Sequence, residues 1–167
     1  MKHLFFLLSF ITTTVLVHAQ KDIKAGITLM LRYAEIDFKG VIGDSLSPEP
    51  ELEATNYTPK ETIGVGTEKI VKGDSSDVCF YICSISLLHA NQLIHDALEL
   101  ANEFVQQGKF TGEDTNDGKG KSVTEIRDTT GNKVMHLISE YSDDGVEDND
   151  YFAVIIYSKT MQVLLGK

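Results

Sequence analysis

Arginine is nearly absent from this chain. Arg32 and Arg127 are the only two among 167 residues, and 15 basic side chains face 25 acidic ones for a net charge of −10. Phosphate backbones are held by clustered Lys and Arg, so this balance argues against nucleic acid as a partner and against an anionic membrane surface. Cysteine is scarce too: Cys79 and Cys83 stand four residues apart in a stretch that reads as a strand. Four strand residues span about 13 Å, whereas a disulfide needs alpha carbons within about 7 Å. Two free thiols, packed as small apolar side chains, are therefore expected. No neighbouring His or Cys completes a zinc ligand set. Proline occurs only at Pro48, Pro50 and Pro59, interleaved with acidic residues, which marks 44–60 as an exposed loop.

Long apolar runs are missing except at the start. Lys2 and His3 precede an apolar stretch from Leu4 to Val17, and Val17-His18-Ala19 places small residues before a cleavage point at Gln20. That order is the signature of a secretory signal peptide. The run is too short for a comfortable bilayer span of roughly 20 residues, and no stable membrane insertion is expected once it is removed. The expectation is residues 1–19 as signal peptide and 20–167 as one domain, secreted or periplasmic, kept soluble by its negative charge.

Within the mature chain, Ile23, Ile27, Met30, Leu31, Ala34 and Phe38 recur at three- and four-residue steps, predicting a helix over 22–39 with Asp22 as its cap and Gly40 as its stop. Gly26 weakens that helix. "ETIGVGTEKIVKG" (61–73) reads as a strand, and "VCFYICSI" (78–85), apolar on both faces, as a central one. Residues 86–107 carry the strongest helical stripe, and "GEDTNDGKGK" (112–121) reads as a loop. "SVTEIRD", "VMHLISEYS" and "YFAVIIYS" read as a β-meander, with "MQVLLGK" as a last short strand. The predicted fold class is α+β, with two amphipathic helices packed on a mostly antiparallel sheet in the order helix–strands–helix–β-meander.

Gly43-Asp44-Ser45-Leu46, followed by Ser47, resembles the first sequence block of the GDSL (SGNH) serine hydrolases. The resemblance implies Ser45 as nucleophile, with oxyanion donors from a Gly-x-Asn-Asp block and a base from a C-terminal Asp-x-x-His. A hydroxyl attacks only when an imidazole removes its proton and aimed donors receive the oxyanion. Asn116-Asp117 lacks the glycine, since position 114 is Asp, and no histidine has Asp three places before it. The resemblance covers about five residues, and a turn at Ser45 is the preferred reading.

His89 and His95 lie six residues apart on the predicted helix, about 120° around it, so they do not share a metal as an i, i+4 pair would. His136 alternates with Val134 and Ile138 on a sheet face. Calcium has two candidate loops. "EDTNDGKGKSVT" has glycine at the sixth place but Glu113 first and Thr124 last, where a bidentate Glu belongs. "DDGVEDND" gathers Asp143, Asp144, Glu147, Asp148 and Asp150. "GKGKS" (118–122) lacks the earlier glycine of a phosphate-binding loop, and Asn56-Tyr57-Thr58 spells a glycosylation sequon.

The favoured function is therefore binding without covalent chemistry and without a cofactor. The partner would be another exported protein, a cell-surface component or a small ligand, met by loops 44–60, 112–121 or 143–150. The alternatives are an esterase using Ser45 with a distant histidine such as His136, and a calcium-stabilised structural module.

Overall fold

The computed structural model describes residues 22–118, 120–141 and 150–166. The expected signal peptide and Asp143, Asp144, Glu147 and Asp148 lie outside the described residues. Helix α1 spans Ile23–Ala34, with the Asp22 carboxylate accepting from the Ala25 amide at 3.0 Å. Its inward face is Ile23, Gly26, Ile27, Met30 and Ala34. Gly26 belongs there for a steric reason: a β-carbon at this position would lie 2.8 Å from the Ile63 alpha carbon. A helical glycine costs about 1 kcal/mol in propensity, and here it lets the 60–66 loop lie against the helix.

The strands are β1 (Ile42–Glu49), β2 (Ala54–Pro59), β3 (Thr67–Gly73), β4 (Cys79–Ser86), β5 (Phe110–Asn116), β6 (Lys121–Asp128), β7 (Lys133–Glu140) and β8 (Tyr151–Tyr157). Helix α2 (Asn91–Gln106) lies between β4 and β5, and α3 (Lys159–Leu165) follows β8. All eight strands form one sheet in the order β1-β2-β3-β4-β8-β7-β6-β5, every neighbour antiparallel. Two four-stranded meanders thus meet where β8 pairs with β4. These two strands read apolar on both faces because each has a neighbour on either side and packing above and below.

One face of the sheet carries the main core. Ile70, Tyr81, Cys83, Leu137, Val154 and Ile156 point to it and pack with Ile27, Met30, Leu93 and Ala97 of α1 and α2. Cys79 and Cys83 are buried and free. Burial pushes the Cys83 thiol up to about 12 and the Cys79 thiol upward as well.

The Glu68 carboxylate ties the 60–66 loop down. It accepts from the backbone amides of Ile63 (2.9 Å), Gly64 (2.6 Å) and Val65 (3.1 Å), and from the Tyr81 hydroxyl. Tyr81 is fully buried, and that burial, with Glu68 beside it, holds its hydroxyl protonated far above its ordinary range.

The predicted arrangement of two helices on a sheet is corrected. The described residues form mainly an eight-stranded antiparallel sheet with three short helices, strands preceding and following α2. The predicted last strand is α3, whose first turn is capped by the Ser158 hydroxyl and by Asp37 Oδ1, which accepts from the Thr160 amide at 2.8 Å. Half of loop 112–121 is β5, and loop 44–60 holds most of β1 and all of β2. Helix α1 stops at Ala34, because Asp37 and Phe38 turn left-handed (φ 52° and 54°) before Gly40 (φ 87°). That conformation is costly for a bulky residue. Full burial of Phe38, stacked on Tyr81 at 6.4 Å, offsets it.

Candidate functional site

Among the described residues, helices α1 and α2 cover one face of the sheet and leave the other without a helical layer, except where α3 brings Met161 beside Val71 and Phe80. Strand pairing fixes which side chains share this second face. One cross-strand row runs Lys69, Ile82, Ile155, His136, Glu125; the next runs Thr67, Ser84, Ala153, Ile138, Val123. A third row is Ser86, Tyr151, Glu140, Lys121. Over β3, β4, β8 and β7 these rows form an open groove of about 550 Å³. Ile82, Ile138, Ala153 and Ile155 supply its apolar floor, and Thr67, Ser84 and Ser86 line it with hydroxyls.

Three polar clusters frame the groove. On one side Lys69 lies 3.6 Å from Glu49, whose carboxylate also accepts from Asn56 at 2.9 Å. On another, Glu140 accepts from the Tyr151 hydroxyl at 2.8 Å and pairs with Lys121 at 3.3 Å. Toward α3, Glu125 is ringed by Arg127, Lys133 (2.9 Å) and His136 Nε2 (2.8 Å), and His136 Nδ1 lies 2.8 Å from the Tyr157 hydroxyl.

A carboxylate only accepts, so the proton between His136 and Glu125 sits on Nε2, and Nδ1 accepts from Tyr157. Burial lowers the His136 pKa against the pull of Glu125, which keeps the ring neutral at pH 7. Burial tends to raise the Glu125 pKa, but the hydrogen bonds from Lys133 and His136 outweigh it and hold the group below its ordinary value. Burial, and then Glu125, push the Tyr157 hydroxyl up to about 12. Both imidazole nitrogens are thus engaged, and the chain Tyr157–His136–Glu125 fixes the orientation of the ring.

Ser45 stands elsewhere. Its tetrapeptide lies on β1, a strand at the sheet edge, where a turn was expected, and Ser45 is exposed. Five strand spacings of about 4.8 Å put it roughly 24 Å from His136 along the sheet order. Gly43 has a structural reason: a β-carbon there would lie 2.6 Å from the Thr58 carbonyl oxygen. The Asp44 amide meanwhile donates to the Thr58 hydroxyl at 3.0 Å.

The first calcium candidate is the β5–β6 hairpin, with Asp114 paired to Thr124. Asn116 and Asp117 spend their side-chain oxygens on the turn amides of Gly118 and Lys121. Of the second, Asp150 is described, half-buried at the head of β8 and already partnered. His89 is exposed on a short turn before α2. His95, Asp96 and Glu99 bring three potential ligand atoms within 4.8 Å of one another on exposed helix, a grouping that i, i+4 spacing could have revealed. Lys24 already sits 2.8 Å from both Glu99 and Glu103 there. Asn56 is 4% exposed and its amide nitrogen donates to Ser47 and Glu49, so the sequon is closed in the folded chain.

Glu125, Lys133, Tyr157 and Lys69 were not singled out by the sequence. Their signal is cross-strand adjacency, which only the register supplies. Comparison with protein-family models, curated proteins and solved structures finds no match, so the functional reading rests on the chain's own geometry.

Proposed function

We propose that the protein is a non-catalytic binding protein that works after export and holds an apolar ligand, or the apolar part of a partner, on the helix-free face of its sheet. The observation that carries this is the groove of about 550 Å³ with an isoleucine floor and hydroxyl-bearing walls. That combination of apolar surface and a few placed polar groups is typical of small-molecule sites. The framing clusters around Glu125 and Glu140 support the reading further, since their side chains are held in hydrogen bonds and need little ordering when a ligand arrives. Export is part of the proposal and rests on the leader-like first 19 residues.

Titration with Nile red, a neutral apolar dye, tests the site. Saturable one-to-one binding with a blue-shifted emission is expected, reduced at least tenfold by Ser84→Phe, which places a ring in the groove. Equal binding by the variant, with its melting temperature unchanged, would remove the groove from the account. Stoichiometric labelling of Ser45 by a fluorophosphonate would replace the whole reading with an esterase.

A further inference from the structure

The two edges of the sheet are built differently. Strand β1 shifts register twice against β2 and carries Pro48, features that blunt an edge against further pairing. Strand β5 pairs with β6 in unbroken register over all seven residues and contains no proline. The Asp117 amide donates to the Lys121 carbonyl. By antiparallel alternation the odd-numbered residues of β5 therefore bond to β6, and Gly112, Asp114 and Asn116 turn their backbone groups outward.

Gly112 has no conformational reason to be glycine, since it is not among the glycines with positive φ. A β-carbon there would meet Ile126 at 3.6 Å and Val105 at 4.0 Å, ordinary contacts. Glycine inside a strand weakens it, and often marks the close approach of another chain. Its missing side chain leaves a cleft of about 290 Å³ between α2 and β5, bordered by Leu98, Ala101, Val105 and Ile126. Leu98 and Val105 are 39% and 41% exposed beside it.

The edge is also acidic. Glu113 lies on the helix-free side and Asp114 on the helix side, and among the described residues neither has an ion-pair partner. The cations of β6 are engaged elsewhere: Lys121 with Glu140, Arg127 with Glu125 and the Gly131 carbonyl.

We propose that β5 is a docking edge for an extended basic segment of a partner protein, which adds to the sheet as a ninth strand. The partner residue opposite Gly112 is apolar and enters the cleft beneath Leu98 and Val105. The residues opposite Glu113 and Asp114 are Lys or Arg. Main-chain hydrogen bonds supply the attraction, and the notch and the two carboxylates set register and selectivity. A second copy of this chain is a poor occupant, because its own β5 would bring Glu113 and Asp114 against like charges. This site is separate from the groove on the helix-free face and does not depend on it.

The test is fluorescence anisotropy with a labelled nine-residue valine–lysine peptide carrying adjacent lysines. Saturable binding is expected, at least tenfold weaker when glutamate replaces lysine and at least tenfold weaker when alternate amides are N-methylated. Gly112→Pro removes an outward N–H that the sheet does not use, so it should fold normally and bind at least tenfold more weakly. Ser84→Phe should leave peptide affinity unchanged, which separates this edge from the groove. Equal binding of the N-methylated peptide would reduce the interaction to net charge and overturn the proposal, whether or not Gly112→Pro folds. A dimer in sedimentation that Gly112→Pro dissolves would assign the edge to a second copy instead.

Discussion

Replacing Glu68 with alanine removes one carboxylate and leaves four donors to find new partners. Two of them, the Ile63 amide and the Tyr81 hydroxyl, belong to fully buried residues, and the other two, from Gly64 and Val65, lie nearer solvent. A buried donor left unsatisfied costs about 1–3 kcal/mol. The Ile63 amide keeps a weaker bond to the Tyr81 oxygen at 3.3 Å, so the full penalty falls mainly on the tyrosine proton. Gly64 and Val65 can turn to water and lose only the net value of a charge-assisted bond. The expected destabilisation is roughly 3–5 kcal/mol for Glu68→Ala, with Glu68→Gln intermediate because one acceptor oxygen survives.

Urea unfolding at neutral pH measures this directly. A double-mutant cycle with Tyr81→Phe isolates the pair, and a coupling of about 1–3 kcal/mol is expected. The same change should speed hydrogen exchange at residues 63–65 selectively, since the loop loses its tether while α2 keeps its packing. A total loss below 1 kcal/mol would show that the loop is held by its apolar contacts, and the carboxylate would no longer explain why 60–66 lies on α1.

Gly26→Ala should destabilise by about 1–3 kcal/mol despite the better helix propensity of alanine, because the new methyl meets the Ile63 backbone; a gain in melting temperature would refute the close packing. Cys79 and Cys83 should resist Ellman's reagent in the native protein and both react after denaturation, since burial raises both thiols and neither is in a disulfide. The lowered pKa of His136 means that folding favours the neutral ring. Its contribution is fully present above the ordinary value near 6.5 and lost as pH falls through the depressed one, so His136→Gln should flatten the stability profile below about pH 6.5. An unchanged slope in that window would show that the Tyr157–His136–Glu125 chain does not sense protons.

What the sequence discloses, and what it conceals, follows from how each element is buried. Helix α2 and strands β4 and β8 were legible because their apolar residues face packed neighbours and repeat at their proper periods. Strand β5 was not, because an edge strand with wet surroundings has no apolar alternation to display: after Phe110 its helix-side positions are Gly112, Asp114 and Asn116. Helix α3 was misread because Val163, Leu164 and Leu165 run together on exposed positions. Its start signal, Ser158, was assigned to the preceding strand, and its second cap comes from Asp37, 123 residues away. Prolines at 48 and 59 suggested a loop, yet Pro48 sits in the outermost strand and Pro59 at the last position of β2, where a missing N–H is tolerated. The groove failed for a related reason: Ile82 and Ile155 are visible in the sequence as apolar, but nothing there says that helices cover only the other side.

The carboxylates around the groove are already partnered: Glu125, Glu140 and Glu49 each hold donors within 3 Å or an ion pair close by. With these three carboxylates committed to neighbours, the proposed recognition falls to apolar surface on the groove floor and, along β5, to main-chain groups and Glu113, unpaired among the described residues. On the proposed reading, ligands are discriminated by what fits beside Ile82 and Ile155, and partners by what can lie flat along Gly112 and Asp114.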